Sequence, residues 1–328
     1  MNYRPSGELD FVLGLSNAKD WVFVGALGTE ERSLAAWLHL RSLGIKGEHR
    51  LFEIWDDPSD YSMRTKELLA IRRGEFSAAG GSGSSIRQMS LLARKSDIDE
   101  VVEEIERLGR PIILDITSLP KRIFFLLLRA FSRCDNLIVT YTSPDSYEEN
   151  EHLSQGAMNW THLPGFPKLR DGKEMLIASV GYMIEGLLEH SRDINSGPKI
   201  KVLIPFPAPL AALRHSWNSV WRLESAAHTK KFENHRVSAT DMSLAFDRIA
   251  SLTQGTSEIP AFAPFGPKPI SAAMCLFACQ PNNECAVYYQ QPRIYHPDYS
   301  QGIQGGDRAK AVKAYWVKHD GENLYRLP

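Results

Sequence analysis

Pro111-Ile112-Ile113-Leu114-Asp115-Ile116-Thr117-Ser118-Leu119-Pro120-Lys121-Arg122 reads as a strand feeding a helix, and this stretch decides the fold. From Pro111 to Ile116 the run is apolar except for Asp115, the pattern of a strand covered on both faces. Ser118-Leu119-Pro120 turns the chain into the strongly apolar run Ile123-Phe124-Phe125-Leu126-Leu127-Leu128. Working outward, Trp21-Val22-Phe23-Val24 closes on Gly25, and Arg50-Leu51-Phe52-Glu53-Ile54-Trp55 closes on Asp56-Asp57-Pro58. Asn136-Leu137-Ile138-Val139-Thr140-Tyr141 is a further strand. Helical periodicity fills the intervals, from Glu30 to Leu38, over about 61–72 and over 97–108. In the last of these Ser96 is the expected N-cap, and Arg107 and Gly109 mark the end. Strands alternating with helices at this spacing predict a parallel sheet covered on both faces. Ser77-Ala78-Ala79-Gly80-Gly81-Ser82-Gly83-Ser84-Ser85 is a solvent loop or a loop covering a ligand.

The second half retells the first. Met175-Leu176-Ile177-Ala178-Ser179-Val180-Gly181 matches the opening strand and Gly25, and Ile200-Lys201-Val202-Leu203-Ile204-Pro205-Phe206-Pro207 matches the strand ending at Trp55. Residues 241–252 repeat the helix at 97–108. Leu119-Pro120-Lys121-Arg122, an apolar helix and Tyr141-Thr142-Ser143-Pro144 return as Gly266-Pro267-Lys268-Pro269, an apolar helix and Tyr289-Gln290-Gln291-Pro292. Lys121 to Lys268 and Pro144 to Pro292 both lie nearly 150 residues apart, a period of duplicated domains rather than of solenoid repeats. The expected class is α/β, with two tandem Rossmann-like domains from an internal duplication. Each has a mostly parallel sheet covered by helices. Residues 1–147 form the first domain and 148–173 a connector. Residues 174–300 form a diverged second domain and 301–328 a C-terminal extension.

A chain of 328 residues exceeds the usual single core of about 100–200 residues. Net charge is −1 and the pI about 6.8, which gives no global field for nucleic acid or anionic membrane and leaves a local basic face open. The longest apolar run, between Arg122 and Arg129, falls far short of the ~20 residues that cross a bilayer, and the N-terminus lacks a signal-peptide core. Cys134, Cys275, Cys279 and Cys285 have neither CxxC spacing nor partner histidines, so they read as reduced, buried thiols in a cytoplasmic chain. No cofactor or metal is implied. Ser-His-Asp order, HExxH, Walker A and a nucleophile elbow are all missing. His215, His228 and His235 read as ordinary surface histidines.

Open parallel sheets bind ligands beyond the carboxyl ends of their strands. Gly25-Ala26-Leu27-Gly28-Thr29-Glu30-Glu31-Arg32-Ser33 sits at such an end. Its glycines admit close backbone approach and a helix start offers N–H groups to phosphate; equally, Glu30 and Glu31 simply complement a helix dipole. Asp115-Ile116-Thr117-Ser118-Leu119-Pro120-Lys121-Arg122 offers hydroxyls and two cations to an anion, or a capped helix with solvated cations. Tyr141-Thr142-Ser143-Pro144 flanks a base or forms a plain strand-end turn. In the second half Ala263-Pro264-Phe265-Gly266 replaces the polar motif while Lys268 survives, and Ile184-Glu185-Gly186 stands where Gly28 to Arg32 stood. Arg293, Tyr295, His296 and Tyr299 form a separate polar-aromatic cluster that binds a base or a partner, or reads more simply as a surface loop.

At Asp115-Ile116-Thr117-Ser118-Leu119-Pro120-Lys121, with the loop at Gly28-Thr29, the chain resembles the CARF (CRISPR-associated Rossmann fold) family. The doubled arrangement is similar to SAVED domains. The resemblance implies recognition of cyclic nucleotide or oligoadenylate messengers in prokaryotic antiviral defence through Thr29, Ser33, Thr117, Ser118 and Lys121. The family has glycines where this chain has Ser118-Leu119-Pro120. The leading expectation is therefore a nucleotide sensor that acts through a protein partner or a homo-oligomer. Its ligand residues are Gly25, Gly28, Thr29, Arg32, Ser33, Thr117, Ser118, Lys121, Arg122 and Lys268. The alternatives are a hydrolase of a nucleotide or nucleic acid, with Asp115 and Glu30 or Glu31 as acid-base groups, and a structural subunit of a defence complex.

Overall fold

The computed structural model describes residues 3–45, 47–148, 153–168, 174–181, 187, 199–208, 210–226, 232–281 and 284–327. They fall into two units: Met1–Gly156 with Pro292–Tyr325, and Ala157–Gln291 with Arg326–Pro328.

In the first unit the chain runs β1 (Ser6–Glu8), α1 (Leu9–Gly14), β2 (Val22–Ala26), α2 (Ala35–Ser42), β3 (His49–Trp55), α3 (Ser62–Ala78), β4 (Ile86–Ser90), α4 (Lys95–Glu106), β5 (Ile112–Asp115), α5 (Lys121–Phe131) and β6 (Leu137–Thr142). The short strands β7 (Ser146–Tyr147) and β8 (Ser154–Ala157) follow. The second unit holds β9 (Thr161–His162), β10 (Glu174–Ser179), β11 (Lys199–Phe206), α6 (Leu210–Ala226), β12 (Phe232–Ser238), α7 (Met242–Thr253), β13 (Ile259–Pro264), α8 (Lys268–Ala278) and β14 (Ala286–Tyr289). The chain then returns to the first unit as β15 (Pro292–Tyr295), β16 (Ser300–Gln301), α9 (Arg308–Ala311), β17 (Val312–His319) and β18 (Glu322–Asn323).

The first sheet has the order β1-β17-β6-β5-β2-β3-β4, and the second β12-β11-β10-β13-β14-β9. Each contains five parallel strands in one order, third-second-first-fourth-fifth by position in the half, with an antiparallel strand beside the fifth. Both sheets are Rossmann-like, and the shared order is what a duplicated fold leaves behind. Burial explains the apolar strands: every residue of β2, β5 and β6 is buried. α5 buries Ile123, Phe124, Phe125, Leu126, Leu127, Leu128 and Phe131, which accounts for its near-continuous apolar sequence.

Four expectations change. The end of the chain is not an extension, because β17 pairs antiparallel with β6 and buries Val312, Ala314, Tyr315, Trp316 and Val317. An apolar strand needs a partner, and the free edge of β6 supplies it. The first domain accordingly reaches Gly156 and regains Pro292–Tyr325, rather than closing at 147. α3 extends to Ala78 and takes in the start of the Ser/Gly-rich segment, whose remainder holds a 3-10 turn at Gly83–Ser85. At α4 the cap is not Ser96; Asp97 reaches back to accept the Arg94 backbone N–H at 2.8 Å.

Cys275 and Cys285 are buried, Cys134 and Cys279 partly so, and none forms a disulfide. Burial pushes the Cys285 thiol up to about 12 and the Cys134 thiol up to about 11. Iodoacetamide at pH 8 is therefore expected to label both far more slowly in the folded than in the unfolded protein. Mass-spectrometric mapping of rapid alkylation at either site in folded protein would contradict this.

Candidate functional site

In this strand order the crevice opens between the carboxyl ends of the first and fourth core strands, here β2 and β5. The loop after β2 and the loop after β5 meet there. A Cβ at Gly28 would stand 3.1 Å from the Cβ of Ser118 and 3.6 Å from that of Ser33, so glycine is what lets the two loops touch. Ser118 Oγ donates to Glu30 Oε1 at 3.3 Å, closing the contact. A 3-10 turn at Glu31–Leu34 precedes α2, so the helix starts later than the Glu30 expected from its periodicity.

Beneath this rim lies a buried network. Asp115 is 0% exposed, and its Oδ1 accepts from the hydroxyls of Thr117 at 2.6 Å and Thr140 at 2.9 Å. Thr117 Oγ1 in turn accepts the Thr142 backbone N–H at 2.9 Å. Thr140 stands directly across from Asp115 in the register of β5 and β6. The acid therefore ties the end of β5 to the end of β6.

Arg32 is 3% exposed and saturated by the protein itself. Nε and Nη2 donate to Glu30 Oε2 at 2.9 and 2.7 Å, Nη1 donates to the Thr142 carbonyl at 2.9 Å and to Tyr141 Oη at 3.3 Å, and Nε also reaches Ser300 Oγ at 3.0 Å. Ser300 Oγ itself donates to Glu30 Oε2. Burial pulls the Arg32 pKa down, but Glu30, with Tyr141 and Tyr147, more than offsets this and raises it above the ordinary arginine value. Burial raises the Tyr147 hydroxyl, with the Tyr141 hydroxyl beside it.

The expected residues thus divide by access. Gly28, Thr29, Glu30, Ser118, Lys121 and Arg122 are partly exposed and line the reachable rim, with Glu31 fully out in solvent. Gly25, Arg32, Ser33, Asp115 and Thr117 are interior. A Cβ at Gly25 would stand 3.4 Å from that of Asp115, and Ser33 Oγ donates to the Gly28 carbonyl at 3.2 Å. Tyr141 and Thr142 are also buried, and the Tyr141 ring faces the Arg32 guanidinium instead of a ligand.

Arg122, in the first turn of α5, differs from the other cations of the site. Its guanidinium is half-buried and makes no hydrogen bond or ion pair with any described residue, and burial lowers its pKa. A desolvated cation without a counter-charge gains most from a bound anion.

In the second unit the ends of β10 and β13 touch at the equivalent place. A Cβ at Gly181 would lie 2.2 Å from the Phe265 carbonyl, and the Gly266 N–H donates to Ser179 Oγ at 3.0 Å. Trp160 stacks on Phe265 and on Tyr288, with ring centroids 5.7 Å apart in each pair. Lys268 opens α8 after Pro267 as Lys121 opens α5 after Pro120, but in unlike surroundings. Ile184-Glu185-Gly186 and His228 lie outside the described residues. His235 bonds Glu233 at 3.1 Å and Arg248 at 3.0 Å, an ordinary surface arrangement.

Sequence reading missed Thr140, Tyr147 and Ser300. Only Thr140 left a signal, a polar residue inside an apolar strand.

No family model matches the chain, and no curated protein does. Among solved structures it is similar to the cytoplasmic domain of a prokaryotic cation chloride cotransporter, at 11% identity and TM-score 0.24 over 86% of this chain and 99% of that one. A functionally unknown protein from Pseudomonas aeruginosa PAO1 matches at 14% identity and TM-score 0.24, over 86% and 95%. Leucoanthocyanidin reductase from Vitis vinifera, bound to NADPH, matches at 11% and 0.26, over 81% and 92%. Likeness this low says nothing of function. Among the described residues no helix is long and apolar enough to cross a membrane.

Proposed function

We propose that the first unit binds a phosphate-bearing nucleotide at the rim formed by Gly28, Thr29, Ser118, Lys121 and Arg122, and that the chain is a sensor acting through a protein partner. The observation that carries this reading is Arg122, a half-buried guanidinium with no partner among the described residues, at the edge where an α/β sheet receives ligands. Lys121 adds charge beside it, and Ser118 and the backbone around Gly28 add short-range donors. The resemblance to CARF and SAVED domains supplies the ligand class, a cyclic nucleotide or oligoadenylate, and the setting, prokaryotic antiviral defence. Binding is favoured over hydrolysis because two of the three candidate acids are engaged within the protein, Asp115 in the interior on two threonine hydroxyls and Glu30 on Arg32, which leaves the exposed Glu31 without a second acid from that set.

Calorimetric titration against ATP, cyclic dinucleotides and cyclic oligoadenylates tests it. Arg122→Ala is expected to weaken binding by about 10–100-fold, the worth of a charge-assisted contact, while leaving the melting temperature unchanged or slightly raised. A panel that fails to bind at millimolar concentration, or binding indifferent to both Arg122→Ala and Lys121→Ala, would overturn the proposal.

A further inference from the structure

The polar-aromatic cluster around Tyr295 is not a detached surface loop. Residues 292–306 run along the carboxyl edge of the first sheet and attach at points from β3 to β6. Arg293 Nη1 pairs with Asp57 at 3.2 Å, and the Tyr295 N–H donates to Asp56 Oδ2 at 3.1 Å. Asp298 takes a two-pronged contact from Arg64 at 2.9 and 3.1 Å. Ser300 sits on Glu30 and Arg32. The Asp145 N–H donates to the Gln301 carbonyl and the Gln304 N–H to the Ser143 carbonyl, both at 3.1 Å.

We infer that residues 292–306 form a gate over the crevice, which a hydroxyl-bearing nucleotide displaces by taking over Glu30 and Asp56. Two features support it. First, the strap's donors fill the positions of ligand donors. A carboxylate after the second core strand, here Asp56 after β3, is where nucleotide-binding sheets accept ribose hydroxyls, and Ser300 presents a hydroxyl to Glu30 beside the first loop. Second, the strap is weakly attached. It pairs with β8 through β15 and with β7 through β16, sets His296 against Tyr61 and Tyr299 against Tyr147, and packs Ile303 on the core. Most of its residues are nonetheless partly or fully exposed, whereas β17, beyond α9, buries Val312, Ala314, Trp316 and Val317. Segments with few buried apolar contacts open without global unfolding. Gly302, Gly305 and Gly306, at φ of +63°, +68° and +67°, give the strap a hinge just before that anchored strand.

What the gate admits rests on the ligand reading above; whether it opens does not. Hydrogen exchange of the native protein, resolved to single amides, compares Tyr295, Gln304 and Asp145 with the amides of β17. In nucleotide-free protein, exchange at the strap at least tenfold faster than in β17, and slowed when the strap is locked, is the expected result. The lock is Asp145→Cys with Gly302→Cys, since a Cβ at Gly302 would stand 3.2 Å from that of Asp145; the strain of a side chain at its φ of +63° is present in the reduced variant too, which therefore serves as the reference. Oxidised, the double variant is expected to lose at least tenfold in affinity for the nucleotide that binds best, with recovery on reduction. Strap and β17 amides exchanging at one rate would overturn the gate even if nucleotides bind. Fast strap opening in a protein that binds no nucleotide would leave the gate standing and remove its ligand.

Discussion

Replacing Asp115 with alanine is expected to destabilise the protein by about 3–5 kcal/mol, read as a lowered midpoint of urea unfolding. The size follows from what the carboxylate holds. Its Oδ1 accepts two threonine hydroxyls, and Thr117 passes the connection on to the Thr142 N–H. Buried hydrogen bonds contribute about 0.5–1.5 kcal/mol each, and leaving the buried hydroxyls unsatisfied facing a void costs about 1–3 kcal/mol more. Asp115→Asn keeps the shape and one acceptor oxygen, so a smaller loss is expected. The same pair of variants separates structure from chemistry. A hydrolase using Asp115 would lose turnover in Asp115→Asn with an unchanged unfolding midpoint, the reverse of the pattern expected here.

Arg32→Met carries the second large effect, again about 3–5 kcal/mol, because it strands a mostly buried carboxylate and the Thr142 carbonyl. Glu30→Gln in the same chain is expected to restore a good part of that loss, since a neutral amide tolerates burial better than an orphaned charge. A double-mutant cycle on unfolding free energies measures the coupling. Additive losses would mean that Arg32 acts mainly through Thr142, Tyr141 and Ser300 rather than through Glu30. Arg122→Ala is the contrasting case: a nearby cation whose removal is expected to affect binding and not stability, because nothing in the described chain depends on it.

The contrast between Arg32 and Arg122 marks the limit of what was legible in the candidate site. Both are cations in polar motifs at strand ends, and sequence treats them alike. One is neutralised by a carboxylate two residues away and by a serine 268 residues along the chain. The other faces no described partner. Gly28 and Ser118 were each legible as loop residues, but their contact depends on β2 and β5 being neighbours.

By itself the sequence determined the buried strands β2, β3, β5, β6, β10 and β11, the helices of the first half from α2 to α5, α7 and α8 of the second, and the repetition in two halves. Continuous apolar runs and 3.6-residue periodicity are local consequences of burial, so they can be read without knowing the partner. The edge strands β4 and β12 escaped because Arg87, Gln88, Glu233, Asn234 and Arg236 face solvent and break the apolar run. Tertiary structure alone decided that the chain's last segment returns to β6, that Asp115 and Arg32 are internal ties, and that 292–306 lies across the carboxyl edge of the first sheet. These depend on pairings between residues far apart in the chain, whose energy comes from desolvation and geometry at the meeting point and leaves no periodic trace in either partner.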